Sequence, residues 1–169
     1  DFGELNFYDI YDIFYPQINA EFSPYVADNN LGVGAVYRIP KEQFESVIMT
    51  YFNIDSETLQ SKTTFSSEDS TYEYKPRGFY EVEYPEYPYS EVVGFTENSD
   101  GTITLMVNVV FPYAGDSKVY SHEVVVRPLE DGSVQYVSNR IIPSEDHGEA
   151  TWHTPRLTEA QWEEIYGGE

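Results

Sequence analysis

The sequence predicts an α+β protein in which an antiparallel meander of four or more strands packs on a helix from the N-terminal half. Two patterns carry this prediction. Residues 40–52 follow the helical spacing of apolar residues, and four segments between residues 90 and 142 alternate as strands do, with turn residues between them. A short C-terminal helix completes the expected fold. The length of 169 residues fits a single domain over residues 1–169.

The N-terminal segment, residues 1–33, is rich in aromatic residues and is predicted as either a helix or an irregular arm over the core. Helical spacing is seen for Phe7, Ile10, Tyr11 and Phe14. Pro16 is expected to end such a helix, because proline lacks a backbone N–H and disfavours helical geometry in the residue before it.

The clearest helix covers residues 40–52. Pro40 suits the first turn, where a backbone N–H has no partner within the helix. Polar residues, among them Glu45, are expected mostly on the solvent face. Residues 55–60 add one or two turns capped by Asp55, with Leu59 pointing inward. The apolar stripe of the main helix consists of Phe44, Val47, Ile48, Tyr51 and Phe52.

Three other segments of the first half give weaker signals. Residues 34–39 are predicted as a short strand. Residues 61–71 are predicted as a polar loop. Residues 71–84 alternate weakly, but Pro76 and Gly78 interrupt them.

The second half predicts the meander. Residues 98–101 and the pair Asp131-Gly132 are turn signals between strands, and Asp-Gly favours a tight hairpin. The predicted strands cover residues 90–97, 102–111, 118–127 and 133–142. In the second strand, one face is entirely apolar and consists of Ile103, Leu105, Val107, Val109 and Phe111.

The C-terminal part is predicted as a polar, irregular segment over residues 143–156 followed by a helix over residues 157–166. Thr158 and Gln161 match the capping box, in which each side chain satisfies the other residue's backbone N–H. Three residues of this helix are expected to dock against the protein: Trp162, Ile165 and Tyr166.

Charge and composition exclude several functions. The chain has 30 acidic and nine basic residues, a net charge of −21, which disfavours nucleic acids and anionic membranes. Cationic partners, neutral glycans and divalent cations remain compatible with this charge. The absence of cysteine excludes disulfides and thiolate chemistry. No apolar run approaches the roughly 20 residues of a transmembrane helix.

Four of the five candidate ligand-binding residues are tyrosines. The stretch GFYEVEYPEYPYSEVVGF (78–95) has six aromatic residues and two prolines. Tyr84, Tyr87 and Tyr89 are candidates for stacking on a ligand, and the alternative is that they cover the core. His122 is predicted to share a strand face with Tyr120, and both are further candidates. The alternative for His122 is a hydrogen-bonded histidine of the core or of a cavity.

Motifs of known chemistry are absent. Residues 96–102 superficially resemble a calcium loop but lack the ligand spacing, and a hairpin turn is favoured. The acidic cluster 145–153 contains two histidines without a metalloprotease pattern, so a solvated loop is favoured over a metal site. Neither a nucleophile elbow nor a phosphate loop occurs. We therefore predict no metal, no cofactor and no catalytic residue.

Three segments together resemble a family of secreted or lipid-anchored proteins of unknown function from Gram-positive gut bacteria. They are IPKEQFESVIMTYFNID (39–55), ENSDGTITLMVNVV (97–110) and SHEVVVRPLEDGSVQYVSN (121–139). The resemblance covers about residues 39–142 and implies an extracellular or cell-surface location. A removed secretion leader is expected on separate grounds, because the chain begins at Asp1 without a Met. The resemblance implies no activity. The order of helix and meander also resembles cystatin-like and nuclear-transport-factor-like sheets, which is an analogy of fold alone.

These observations predict a non-catalytic extracellular or cell-surface binding module. Its expected partner is a glycan or another surface protein. The first alternative is a hydrolase that cleaves glycans or cell wall through paired carboxylates. The second is a structural domain of a larger surface assembly, which would expose an apolar patch.

Overall fold

The computed structural model describes residues 5–21, 23, 34–76, 89–111, 116–142 and 156–167. These residues divide into two compact units. The meander unit comprises residues 50–53 and the described part of 89–142, and the helix–sheet unit comprises the described part of 5–49, 54–76 and 156–167. The elements are α1 (Phe7–Asn19), β1 (Tyr37–Pro40), α2 (Lys41–Tyr51), α3 (Ser56–Ser61), β2 (Phe65–Ser66), β3 (Thr71–Tyr74), β4 (Tyr89–Glu97), β5 (Ile103–Phe111), β6 (Asp116–Pro128), β7 (Val134–Ile142) and α4 (Glu159–Tyr166).

The meander unit is a sheet in which β4, β5, β6 and β7 lie side by side in chain order, each antiparallel to its neighbour. This confirms the predicted four-stranded meander and, with the helices, the α+β class. Its two described turns have Gly101 at a φ of +81° and Gly132 at +84°, a left-handed geometry that favours glycine. The single domain and the packing of the meander on the 40–52 helix stay predictions.

The two faces of the meander differ in polarity, as the period of two predicts. On the polar face, Ser121 donates a hydrogen bond to Asn108 at 2.8 Å, and Arg140 pairs with Glu123 at 2.8 Å. The apolar face of β5 is confirmed from Ile103 to Val109, and the side chain of Phe111 lies outside the described residues. The apolar face has a buried cluster of Val107, Val124 and Val126, against which Ile103, Leu105 and Tyr136 pack.

The helix–sheet unit contains a second sheet that the sequence analysis did not predict. Its order is β1-β3-β2, with antiparallel pairs. β2 lies in the segment predicted as a polar loop, so that prediction is wrong at Phe65 and Ser66. Tyr72 and Tyr74 of the central strand point to one face and are fully buried. Tyr72 stacks on Phe44 of α2 at 4.5 Å between ring centroids, and Tyr74 lies 6.1 Å from Tyr11 of α1.

Residues 7–19 of the N-terminal segment form α1, which continues past Pro16, so the prediction that Pro16 ends this helix is wrong. The helix begins at a cap, where the side chain of Asn6 accepts hydrogen bonds from the N–H groups of Tyr8 and Asp9 at 3.0 and 3.2 Å. Packing explains its length, because burial of one helix face stabilises more than the single hydrogen bond that proline removes. That buried face consists of Phe7, Ile10, Tyr11 and Tyr15.

The helices α2 and α3 lie where the sequence predicts them. α2 buries Phe44, Val47 and Ile48. Asp55 caps α3 by accepting a hydrogen bond from the N–H of Thr58 at 2.7 Å, and Leu59 is fully buried as expected.

The C-terminal helix α4 has the predicted capping box between Thr158 and Gln161. The helix contributes no residue to the buried core, although Trp162 and Tyr166 are half-buried. Ile165 is 57% exposed, so its predicted docking is wrong. In the part of the chain that the structure describes, no helix is long and apolar enough to cross a membrane.

Replacement of Phe44 by alanine is expected to lower the free energy of unfolding by about 3–5 kcal/mol. The ring is fully buried between Tyr11 and Tyr72, at centroid distances of 5.2 and 4.5 Å. Urea denaturation measures the loss. The matched control is Phe95→Ala, because Phe95 is 68% exposed and its removal should change stability by no more than about 0.5 kcal/mol. Equal losses in the two variants would contradict this account.

Candidate ligand-binding cleft

The helix–sheet unit contains a cleft of about 180 Å³ between the start of α1, the end of β3 and α4. Two aromatic residues, Tyr8 and Trp162, line it together with charged side chains from β3, from α4 and from the segments next to them. The charged residues are Glu73, Lys75, Arg156 and Glu159, and the remaining lining residues are Asn6, Thr64, Pro76 and Leu157.

Lys75 is the central cation of the cleft. Its Nζ lies 2.5 Å from Glu159 Oε2 and 3.3 Å from Glu73 Oε1. The same ammonium lies 4.4 Å from the centroid of the Trp162 ring, a cation–π contact. Burial alone would lower the pKa of Lys75, but the carboxylates of Glu159 and Glu73 outweigh burial and raise the pKa. The ammonium is therefore held in its charged form.

Arg156 closes the inner side of the cleft, and its side chain is only 9% exposed. Its Nε donates to Asp9 Oδ1 at 2.5 Å, and its Nη2 pairs with Asp12 Oδ2. A third group, Nη1, donates to the backbone carbonyl of Lys75 at 2.8 Å. Burial would lower the pKa of Arg156, but Asp12 and Asp9 outweigh burial and raise it. Arg156 therefore fixes the backbone at Lys75.

Tyr74 connects this ion pair to the core. Its hydroxyl donates to Asp12 Oδ1 at 2.6 Å, and the Arg156 guanidinium lies 5.6 Å from its ring centroid. Burial, and then the Asp12 carboxylate, raise the pKa of Tyr74. At the rim, Tyr8 accepts a hydrogen bond from the N–H of Thr64 at 3.0 Å, and burial raises the pKa of its hydroxyl.

Glu73 and Glu159 bring two carboxylates close together on one side of the cleft. Since both contact Lys75 Nζ, at 3.3 and 2.5 Å, the two contacting oxygens lie at most 5.8 Å apart. Carboxylate oxygens accept hydrogen bonds from hydroxyl groups, and aromatic faces pack on apolar surfaces. The cleft therefore offers polar and aromatic contacts to the same small ligand.

Metal binding finds no support in the residues that the structure describes, since no three of their histidines and carboxylates are grouped to hold a metal ion. The acidic cluster 145–153 lies outside the described residues. The segment 96–102 is a hairpin turn, as predicted. Within it, Asp100 accepts hydrogen bonds from the N–H and the hydroxyl of Thr102 at 3.1 and 2.7 Å.

Of the five predicted ligand-binding residues, the three that the structure describes, Tyr89, Tyr120 and His122, do not line the cleft. Tyr84 and Tyr87 lie outside the described residues. Tyr120 and His122 are brought together, with ring centroids 4.9 Å apart, and His122 Nδ1 lies 2.8 Å from Asn139 Oδ1. Tyr89 is 54% exposed and pairs with Val110, so it lies on the opposite face of the meander. A ligand-binding role for these residues stays a prediction.

Glu45 is a buried carboxylate that the sequence analysis placed on the solvent face, and that placement is wrong. Its Oε1 accepts hydrogen bonds from the Tyr72 hydroxyl at 2.6 Å and from the Ser56 hydroxyl at 2.7 Å. Lys41 Nζ lies 4.0 Å away. These partners compensate for the lost solvation of the carboxylate and explain its burial. Glu45 does not line the cleft.

Comparison with known proteins identifies a family. A sequence-family model matches residues 1–156. The chain belongs to DUF6070, a family of unknown function. Neither a curated protein nor a solved structure matches this DUF6070 member, so the likeness to cystatin-like and nuclear-transport-factor-like sheets stays a prediction. The matched region ends at Arg156, so Leu157, Glu159 and Trp162 line the cleft from beyond it.

Sequence reasoning missed every charged residue of the cleft in this DUF6070 member. One signal was available. Only nine residues are basic against 30 acidic ones, and Lys75 directly precedes a proline at the end of an alternating segment. In an acidic chain each cation has many possible partners, however. The partners seen in the structure are far away along the sequence: Asp9 and Asp12 for Arg156, and Glu159 for Lys75.

Replacement of Arg156 by glutamine is expected to lower the free energy of unfolding by about 3 kcal/mol, the lower end for a broken buried ion pair. Asp9 and Asp12 would lose their cation while remaining only 22% and 24% exposed. Chemical denaturation measures the loss. The matched control is Arg140→Gln, which removes an ion pair whose arginine is 67% exposed and should cost about 0–1 kcal/mol. A similar loss in both variants would contradict the buried role of Arg156.

The raised pKa of Tyr74 predicts how the free energy of unfolding changes at alkaline pH. Its raised pKa means that the folded state favours the neutral hydroxyl, so this stabilisation is present below the usual tyrosine pKa of about 10 and is lost as the pH rises above it. The Tyr74→Phe variant should therefore lose less free energy of unfolding than the unmodified chain between about pH 9.5 and 11. Denaturation at a series of pH values measures both slopes. A Tyr74→Phe slope equal to that of the unmodified chain would count against this prediction.

Proposed function

We propose that this DUF6070 member is a non-catalytic binding module that acts outside the cell or at its surface, and that its cleft binds a neutral glycan. One observation carries the proposal. The ammonium of Lys75 lies between the carboxylates of Glu73 and Glu159 and against the ring of Trp162. This arrangement combines hydrogen-bonding groups and an aromatic ring at one small site without leaving a carboxylate pair open for catalysis.

The position of Lys75 argues against acid–base chemistry at this pair. Glycoside cleavage needs one carboxylic acid to protonate the leaving group and a second carboxylate to attack the sugar or to activate water. Glu73 and Glu159 instead direct an oxygen at the same ammonium. A substrate would have to displace Lys75 before it could meet both groups.

The size and charge of the site favour a neutral sugar. Its volume of about 180 Å³ is below the roughly 300–1,000 Å³ of pockets for drug-sized ligands, which suits a single ring at the end of a chain. The net charge of −21 repels acidic sugars over long distances. The extracellular or cell-surface location rests on the resemblance of residues 39–142 to secreted and lipid-anchored proteins. Detection of the protein on intact cells by antibody, and its removal by external protease, test that location.

A carboxylate-dependent glycan hydrolase is the second candidate function. The separation of at most 5.8 Å between the Glu73 and Glu159 oxygens includes the roughly 5–5.5 Å typical of retaining glycosidases. Displacement of Lys75 by a bound substrate would open this pair. Release of reducing sugar from a bound glycan would distinguish the hydrolase from the binding module.

The fluorescence of Trp162 tests the proposal. The chain has two tryptophans, Trp152 and Trp162, so Trp152→Phe leaves the indole of the cleft as the only reporter. Titration with neutral cell-wall and plant oligosaccharides is expected to change its emission saturably. Acidic oligosaccharides of the same length should bind at least about tenfold more weakly, because like charges repel.

Two controls complete this experiment. A Lys75→Met variant of the single-tryptophan chain removes the ammonium from the Trp162 ring and should change the baseline emission before any sugar is added. Calorimetry on the unmodified chain should give the same affinity as fluorescence. The binding proposal fails if no neutral oligosaccharide produces a saturable signal by either method.

A further inference from the structure

The meander unit has an edge strand with an apolar surface. β4 pairs with β5 on one side, and no strand among the described residues pairs with its other side. An edge strand presents unpaired backbone N–H and C=O groups to the outside. Four large apolar side chains of this strand are more than half exposed: Tyr89 at 54%, Val92 at 56%, Val93 at 55% and Phe95 at 68%.

β4 has only some of the features that protect edge strands. Natural edges are kept from pairing by charged side chains, above all lysine, by proline, by bulges or by short length. β4 has nine residues and contains neither lysine nor proline. It has one bulge, at Val93, which leaves two regular segments, 89–92 and 94–97. By contrast, β7 at the other edge of the sheet carries Arg140.

Two apolar side chains of β4, Val92 and Phe95, share one face, and Glu91 lies on the other. Val92 and Phe95 pair with Val107 and Leu105, so they extend the apolar face of the meander to its edge. Glu91 pairs with Asn108 and therefore lies on the polar face. A strand added beside β4 would meet Val92 and Phe95 on one face and Glu91 on the other. At the end of β4 it would also meet Glu97, which pairs with Ile103 on the apolar face. Such a strand matches β4 when its own apolar residues alternate with basic ones.

Charge distinguishes two possible partners of this edge, a second copy of the chain and a basic protein. β4 contains Glu91 and Glu97 and no basic residue, within a chain of net charge −21. A second copy of the chain would bring the same charge to the contact, whereas a basic partner would be attracted to it. The edge therefore favours a partner of opposite charge over self-association.

We propose that the edge of β4 that no described strand covers binds an extended, basic segment of a partner protein, in which apolar residues alternate with lysine or arginine. The segment adds a strand to the meander through backbone hydrogen bonds. Its apolar side chains cover Val92 and Phe95, and its cations face Glu91. This interaction is independent of the glycan proposed for the cleft.

A synthetic peptide tests this inference with the full-length chain. The probe is a fluorescein-labelled, nine-residue peptide of alternating lysine and valine, and fluorescence anisotropy measures its dissociation constant. A second peptide carries N-methyl groups on alternate backbone nitrogens. It keeps every charge and side chain but cannot form the same backbone ladder. We expect the N-methylated peptide to bind at least about tenfold more weakly, since it loses several hydrogen bonds.

Matched variants locate the contact. The double variant Val92→Thr and Phe95→Thr keeps strand-forming residues at exposed positions and should weaken the unmodified peptide at least about tenfold. The control Ile141→Thr changes a side chain that is 54% exposed on the opposite edge strand and should leave the affinity unchanged. Circular dichroism of each variant verifies that the sheet is retained.

Four outcomes would overturn the inference. The first is no binding of the lysine–valine peptide. The second is equal binding of the N-methylated peptide, which would show attraction by net charge alone. The third is an equal loss of affinity in the Ile141→Thr control. The fourth is a concentration-dependent dimer in sedimentation that disappears in the double variant, because the occupant of the edge would then be a second copy of the chain.

Discussion

The helix–sheet unit depends on two tyrosines that bury their rings and place their hydroxyls on carboxylates. Tyr72 reaches Glu45 of α2 and Tyr74 reaches Asp12 of α1, each at 2.6 Å. Because the two residues are separated by one position in β3, a single short strand holds both helices. A tyrosine side chain combines a large apolar ring with a hydroxyl donor. It can therefore pack in the core and donate a hydrogen bond to a buried carboxylate, which an aliphatic side chain cannot do.

The geometry of the cleft follows from the same constraint. Asp12 accepts from Tyr74 with one oxygen and pairs with Arg156 through the other. Arg156 in turn binds the backbone of Lys75, whose ammonium meets Glu159 and Trp162. The site is thus the outer end of a continuous polar path that starts in the core. Because Tyr74 and Asp12 are held in the packed interior, the hydrogen bonds that follow them also hold Arg156 and Lys75 in place. The cleft is therefore preorganised although it is small.

The periodic spacing of apolar residues predicted the helices and strands whose burial pattern lies within one continuous segment. The stripe from Phe44 to Ile48 and the alternation from Ile103 to Val109 each reflect burial along one element, and both were confirmed. The second sheet could not be predicted in this way, because β1 and β2 are separated by more than 20 residues and pair with β3 over only four and two residues. The burial of Glu45 and the cleft were missed for a related reason. Their partners come from distant segments, and tertiary contacts outweigh local preference.

The C-terminal helix combines a salt bridge and a cation–π contact to Lys75 with two half-buried aromatic rings, Trp162 and Tyr166. α4 adds nothing to the buried core, and its Lys75 contact involves Glu159, which is 71% exposed. The Debye length shortens from about 10 Å at 0.1 M salt to about 3 Å at 1 M, whereas aromatic packing does not weaken with ionic strength. We therefore expect concentrated salt to weaken the Lys75–Glu159 pair more than the packing of α1 and α2. Hydrogen–deuterium exchange of the α4 backbone amides should then accelerate at high salt before the aromatic core opens, so α4 would depend on ionic strength more than α1 and α2 do.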